Sequence, residues 1–346
     1  MLSRVANSLY WMSRYLERAE NVARIVDVNL QLLLDLRNVD AAKLSQLWLP
    51  ILQSTGDEEQ FFQLHKKPTD QAVTEFLVFQ TENSNSIVSS VCQARENARM
   101  VRDQITGEMW EELNRLYWFV KTPQARDAWK ESPSDFFQQI KTSSLLLIGL
   151  SHATLIRNEG WSFTQVGKFI ERADKTSRIL DVRSQSLPAK GASVTQTQAF
   201  EWSAILRSCS AADAYKSIHG ADVNPRLIAE FLLLNEDFPR SARFCVDELN
   251  RALRCISGVA EGRFCNEAEK LAGRLVAELQ FTTIDEICDS GLHQYLDVFQ
   301  TKLNNIGAAL FDAYIFQQFN NLEGDIMVQQ EEQQQQTRSP RRRSSQ

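Results

Sequence analysis

Apolar residues recur at helical spacing almost from the start of the chain. With about 100° of turn per residue, Trp11, Met12, Tyr15, Leu16, Ala19, Val22, Ala23, Val26, Leu30 and Leu33 fall on one broad arc. That pattern predicts a long helix over residues 3–37 whose arc faces a core. Glu17 and Arg24 lie on the opposite face, and Glu20 is one turn before Arg24. Arg18 sits at the margin of the arc, where a long stem can be buried and its guanidinium held in place.

The same phrase is then written again. Glu17-Arg18-Ala19 returns as Glu171-Arg172-Ala173, Glu20 as Asp174, Arg24-Ile25 as Arg178-Ile179, and Asp27-Val28 as Asp181-Val182. The preceding aromatic (Tyr15, Phe169) and cation (Arg14, Lys168) match too. Core periodicity alone would repeat only the apolar positions. An amphipathic helix with solvated i,i+4 pairs gains only about 0.2–0.5 kcal/mol per pair and has no need to place its charges identically twice.

Helical periodicity continues along nearly the whole chain. Trp48–Leu52 belongs to a short segment ending in Ser54-Thr55-Gly56-Asp57, and Pro68-Thr69-Asp70 opens another helix, with Thr69 or Asp70 as cap. Asn83–Ser86 starts a long helix through Arg95, Arg99 and Arg102, bent or broken at Gly107. Ser132-Pro133-Ser134-Asp135 caps a helix running to about Asn158, Gly160-Trp161 reads as a hinge, and the second phrase occupies 162–183. Ser184 to Thr197 is a linker at which a sub-division would fall. Further helices are predicted near 198–209, 211–218, 225–234, 238–257, 264–279 and 290–321. Residues 329–346 hold no apolar side chain and read as a disordered Gln/Arg/Ser-rich tail.

Composition narrows the class. The chain has 346 residues, 43% hydrophobic and 24% charged, with only 13 Gly and 8 Pro, which favours long helices over a turn-rich sheet protein. Net charge is −6, and without the tail's four arginines the 38 basic residues fall to 34 against 44 acidic. Such a body argues against nucleic acid as partner. No apolar run approaches the roughly 18 residues of a membrane span. Six cysteines without a C-x-x-C pair read as reduced thiols of a cytoplasmic protein.

Familiar catalytic signatures are missing: no Walker A loop, no G-x-G-x-x-G, no H-E-x-x-H. Glu17/Glu20 and Glu171/Asp174 are i,i+3 carboxylate pairs of the kind di-iron bundles use, but without Glu-x-x-His and with arginine competing for their oxygens. No metal and no cofactor are therefore expected. Arg95, Arg99 and Arg102, spaced four and three, share a face with Glu96 and Asp103 nearby. Asp237–Cys245 reads as a helix start with Pro239 in its first turn and Arg240 and Arg243 behind it. Arginine on four helices either converges on a bound carboxylate or phosphate or forms inter-helix salt bridges.

Several segments, in order along residues 1–320, resemble the alpha-E family, named for its helices and a Glu-Arg motif. They are Leu9-Tyr10-Trp11-Met12, Tyr15–Asn21, Ala94–Arg99, Glu108-Met109-Trp110-Glu111, Glu159-Gly160-Trp161, Phe169–Asp174, Asp237–Ser241 and Leu292–Leu296. Asn158 stands where an acid is usual, which weakens an acid/base role there. Lys168 replaces a usual arginine and loses its bidentate fork. The resemblance implies an alpha-E domain over 1–322 and a bacterial peptide-modification system. In that system a circularly permuted ATP-grasp carboxylate–amine ligase, and commonly a transglutaminase-like peptidase, accompany the helical protein.

The fold expected is all-α, a single large bundle of long helices with the two Glu-Arg helices as pseudo-equivalent partners at its centre. The leading function is a helical accessory partner of the ligase that binds an anionic, peptide or amino-acid substrate or stabilises the ligase. The alternatives are an amide- or peptide-acting enzyme with Glu17 or Glu171 as base, and a structural scaffold. Candidate substrate-binding residues are Arg14, Arg18, Glu20, Arg24, Arg95, Arg99, Arg102, Arg172, Asp174, Arg178 and Arg240.

Overall fold

The computed structural model describes residues 1–35, 48–184, 187–188, 193–260 and 262–316. Among them are sixteen α-helices, one π-helical turn and no strand, so the fold is all-α. The first Glu-Arg phrase lies in α1 (Ser3–Asp35). Then come α2 (Leu49–Thr55), α3 (Glu58–Leu64), α4 (Asp70–Val78), α5 (Ile87–Met100), α6 (Gly107–Lys121), α7 (Gln124–Glu131) and α8 (Pro133–Thr154). The second phrase lies in α9 (Glu159–Asp181). After it follow α10 (Gln196–Ser208), α11 (Ala212–His219), α12 (Pro225–Leu234), α13 (Ala242–Ser257), α14 (Glu267–Phe281), α15 (Ile284–Ser290) and α16 (Leu292–Phe311), which continues as the π turn Asp312–Phe316.

Local chemistry sets most helix starts. Thr69, Ser86, Thr106, Ser132, Asn158, Asn224, Ser241 and Asn266 each accept a hydrogen bond from a backbone N–H in the first turn that follows. Thr195 and Thr283 complete reciprocal boxes with Gln198 and Glu286. Several of these caps correct the sequence reading. Asn158 accepts from the Trp161 N–H, so Gly160-Trp161 forms the first turn of α9 and is no hinge, and α8 has already ended at Thr154. The helix carrying Arg95 and Arg99 ends at Met100, which leaves Arg102 in the turn before Thr106. Pro239 and Arg240 precede Ser241 and stand outside α13. The short helices α3, α7 and α15 are too brief to declare a period.

The predicted helix ends at 37 and 321, the domain end at 322 and the 329–346 tail lie outside the described residues, as do six of the fourteen residues of the 184–197 linker.

The duplication extends far beyond the phrase. In the first half α1 packs on α5, α5 on α6, α6 on α8 and α8 back on α1. In the second half α9 packs on α13, α13 on α14, α14 on α16 and α16 back on α9. The expected bundle is thus two four-helix units of like order, joined along their first helices. Buried positions of the last helices match as well: Phe137, Ile140, Ser144, Leu147 and Ser151 on α8 correspond to Leu296, Phe299, Leu303, Ile306 and Leu310 on α16.

The seam between units is α1 against α9. The Met1 ammonium meets Glu159, the Tyr10 backbone meets Gly167, and Arg14 meets Glu171, so contacts advance together and the helices run parallel and in register. A Cβ at Gly167 would stand 2.2 Å from the Tyr10 carbonyl oxygen, so only glycine permits this approach. Nineteen of the 23 residues of α9 are buried. Its polar face, like that of α1, therefore has protein on it, and any charge there must find its partner inside.

Candidate functional site

The two Glu-Arg pairs are crossed. Arg172 of α9 donates to both carboxylate oxygens of Glu17 on α1, Nε to Oε1 and Nη2 to Oε2, each at 2.8 Å. Arg18 of α1 donates to both oxygens of Glu171 on α9, at 2.7 and 3.1 Å. Each phrase thus supplies the acid for the other's arginine, and this is why the charges recur with the apolar residues. The wheel placed Glu17 opposite the core, yet Glu17 and Glu171 are buried at 3% and 0% exposure. The second copy covers the face that a single helix would leave to water.

A second guanidinium completes each carboxylate, from different places. Arg14 donates from Nε to Glu171 at 2.7 Å. Its counterpart Lys168 turns away, donating to Gln165 at 2.5 Å and meeting His152 Nε2 at 3.2 Å. Arg240 takes the vacant role: its Nη1 reaches Glu17 and its Nη2 reaches Glu20, both at 3.1 Å. Thr176 of α9 holds the Arg240 carbonyl at 2.9 Å and so fixes that turn. Around the pair, Arg24 binds Glu20 and Arg178 binds Asp174, each within its own helix, and Lys175 lies 3.5 Å from Asp174.

The outer contacts also pair up. Arg18 Nη1 donates to Asn85 Oδ1 at 2.7 Å, just before the Ser86 cap of α5. Arg172 Nη1 donates to the Pro239 carbonyl at 3.2 Å, just before the Ser241 cap of α13. Farther along, repeated Asp27 receives Lys141 of α8, and repeated Asp181 receives His293 of α16, at 2.7 Å in both cases. The last acid of the phrase thus ties its helix to the closing helix of the same unit.

Not every candidate arrives. Arg95 stacks on Trp110 and Tyr117 of α6 and donates to Asn114, Arg99 is exposed and pairs with Glu96, and Arg102 lies over Trp110. These three do not join the central network. Arg243 pairs outward with Glu236. Lys168, Lys175, Tyr10 and Asn85 are the members that residue-by-residue reading missed. The aligned position of Lys168 with Arg14 was the signal available for the first of them.

The ionisation of the network follows from its geometry. Burial alone would raise the Glu17 carboxyl, but Arg172 and then Arg240 outweigh it and hold the group well below its ordinary value. Glu171 is lowered as well, burial again being overcome by Arg14, Arg18 and Lys175. A general base works best with a pKa near the operating pH. Two permanently ionised carboxylates with arginine on both oxygens are poorly suited to that task. Burial also pushes the Cys209 and Cys245 thiols up to about 12, far from a nucleophile's range. In contrast, burial and the neighbouring Arg172 bring the Lys168 ammonium down to about 8.

Two cavities flank the seam at matching places. The one on the α8 side, about 40 Å³, touches Leu16, Glu20, Thr164, Lys168, Ser144 and Ile148. The one on the α16 side, about 210 Å³, touches the counterparts of these residues: Ile170, Asp174, Tyr10, Arg14, Leu303 and Gly307.

The sequence model of the Alpha-E family, described as a predicted alpha-helical domain with a conserved ER motif, matches residues 1–315. An uncharacterized protein of Mycobacterium bovis is 23% identical over 272 residues, which is 74% of this chain and 30% of that protein. Uncharacterized proteins of two Mycobacterium tuberculosis strains match over the same length at 23% and 22% identity, with the same coverage. The chain spans about a third of the length of these curated relatives. No solved structure matches.

Proposed function

Since the chain belongs to the Alpha-E family, we propose that it is the helical accessory partner of an ATP-grasp carboxylate–amine ligase, holding an anionic or peptide substrate or steadying the ligase. The observation that carries this reading is the crossed Glu17–Arg172 and Glu171–Arg18 network. The residues that give the family its motif are committed to joining two helical units, which suits a rigid platform more than a catalytic centre. Two further facts support it. The relatives carry this domain as a third of a longer chain, as expected of a module that works beside another. The ligase itself is implied by the resemblance of the quoted segments to the family.

All six cysteines are free thiols, which supports a reducing, cytoplasmic setting. Among the described residues no helix is long and apolar enough to cross a membrane. The test is reconstitution with the ATP-grasp protein encoded nearest this gene. A complex on size exclusion and substrate-dependent ATP turnover that needs both chains is expected. Equal turnover by the ligase alone, with no complex, would overturn the reading and favour a free-standing scaffold. Amide hydrolysis or ligation by the isolated chain would favour the enzyme alternative.

A further inference from the structure

The two flanking cavities occupy equivalent places, yet only one has room for a ligand. On the α8 side Ile148 projects where α16 has Gly307, and the remaining 40 Å³ holds little more than water. On the α16 side the missing side chain leaves about 210 Å³. Asn304 and Ala308 at its rim are exposed, so the space opens to solvent. It is smaller than the roughly 300 Å³ at which pockets for drug-sized ligands begin, and the occupant is correspondingly about one amino acid in size.

The lining decides its charge. Arg14 spends Nε on Glu171 and Nη1 on the Tyr10 hydroxyl, and its Nη2 has no hydrogen bond among the described residues. The Tyr10 hydroxyl accepts from Arg14, so its own proton remains to be donated. Two donors thus meet at one wall of the cavity. Of the residues that line it Arg14 and Asp174 are charged, and behind them Arg18, Lys175 and Arg178 add three cations against one further carboxylate among the described residues, Glu171. The excess is positive at the heart of a chain whose net charge is −6. Partly buried cations without matching anions are costly, and a carboxylate held by Arg14 and Tyr10 would offset that cost with charge-assisted hydrogen bonds.

We propose that this cavity binds the carboxylate of a small organic acid, either a free amino acid or the C-terminal residue of a peptide, with Arg14 and Tyr10 as its anchors. The purpose of such a site rests on the reading of the chain as a substrate-handling partner. Its binding is measured on the chain alone, so failure here is separate from failure to form a ligase complex.

The experiment is isothermal titration of the full chain with L-alanine, L-glutamate, the dipeptide Ala-Ala, the corresponding C-terminal amides, and inorganic phosphate. Gly307→Leu is the blocking variant. Its Cβ would meet Ile170 Cδ1 at 3.6 Å and Tyr10 Oη at 3.8 Å, ordinary contacts, while the rest of the side chain fills the cavity. It should therefore fold with an undiminished melting temperature. Tyr10→Phe removes one donor and keeps the ring. Saturable one-to-one binding of a free carboxylate is expected, at least tenfold weaker for its amide, weakened by Tyr10→Phe and abolished by Gly307→Leu. Binding of Ala-Ala without alanine assigns the peptide source, and the reverse assigns the free amino acid. The proposal is overturned by no binding up to about 10 mM, by amides binding equally, by phosphate binding more tightly than any carboxylate, or by folded Gly307→Leu retaining affinity.

Discussion

Arg172 grips both oxygens of Glu17 at 2.8 Å across the seam between the two helical units, and Arg18 returns the same grip on Glu171. The exchange makes each unit's motif incomplete without the other. It also replaces what a solvent-facing stripe would do with a buried lock, in which the loss of one partner strands a charge.

That lock predicts strong coupling. Glu17→Ala leaves Arg172 without its carboxylate and Arg240 with Glu20 alone, and Arg172→Ala leaves Glu17 with Arg240 as its remaining guanidinium. Each single substitution should cost about 3–5 kcal/mol in urea unfolding. The double substitution should cost less than the sum by about 1 kcal/mol or more, since removing both partners strands fewer charges. Strict additivity would mean that the two side chains do not meet in the folded protein.

Acid should open the seam. Glu17 and Glu171 are held below the ordinary 4.5 by their guanidinium partners despite burial that acts the other way. Below pH 4.5 the unfolded chain takes up protons that the native carboxylates refuse, so native stability falls as pH falls. Above pH 4.5 the contribution is present in full. Glu171→Gln, measured by melting temperature from pH 6 downward, should show a shallower loss than the unmodified chain. An unchanged slope would place the acid sensitivity elsewhere.

Two glycines should respond to alanine with opposite signs. At Gly167 the new Cβ would lie 2.2 Å from a backbone oxygen of Tyr10, and backbone cannot swing aside as a side chain can. Gly167→Ala should therefore part the helices and destabilise by about 1–3 kcal/mol or more. Gly149, exposed in the interior of α8, has nothing within 4 Å of such a Cβ. Gly149→Ala should stabilise by about 1 kcal/mol through helix propensity alone. Equal effects at both sites would contradict the close seam.

Much of this was legible in residue order, for identifiable reasons. Repeated charges announced a repeated constraint, and caps such as Thr69, Ser86 and Ser132 marked helix starts because their chemistry is local. Position within the fold was not legible in the same way. A wheel drawn for α1 knows one core, whereas α1 and α9 each have a second face covered by the other. Arg95 and Arg99 share the composition of the central arginines but stay outside, whereas Arg240, delivered by an irregular turn anchored on Thr176, joins those of the two phrases on the acids. The full extent of the duplication was hidden because α8 and α16 keep their burial pattern while changing nearly every residue.

The last expectation concerns a place where the crossed symmetry fails, Lys168. Its ammonium is buried beside Arg172, which brings its pKa from 10.5 to about 8, with Glu17 only partly offsetting this. Below pH 8 both folded and unfolded chains hold the proton and the folded state carries the full cost of the buried charge. Between about 8 and 10.5 the native lysine releases its proton before the unfolded one does, so stability rises with pH across that window. Arg14, at the equivalent position, stays charged throughout and gives no such slope. Lys168→Met should raise the melting temperature near pH 7 and flatten the rise between pH 8 and 9.5. Lys168→Arg should flatten it as well while keeping the penalty, because its guanidinium does not titrate there. If the unmodified chain and both variants show parallel profiles, the ammonium is not the group that strains the seam, and the asymmetry between Arg14 and Lys168 has no consequence for stability.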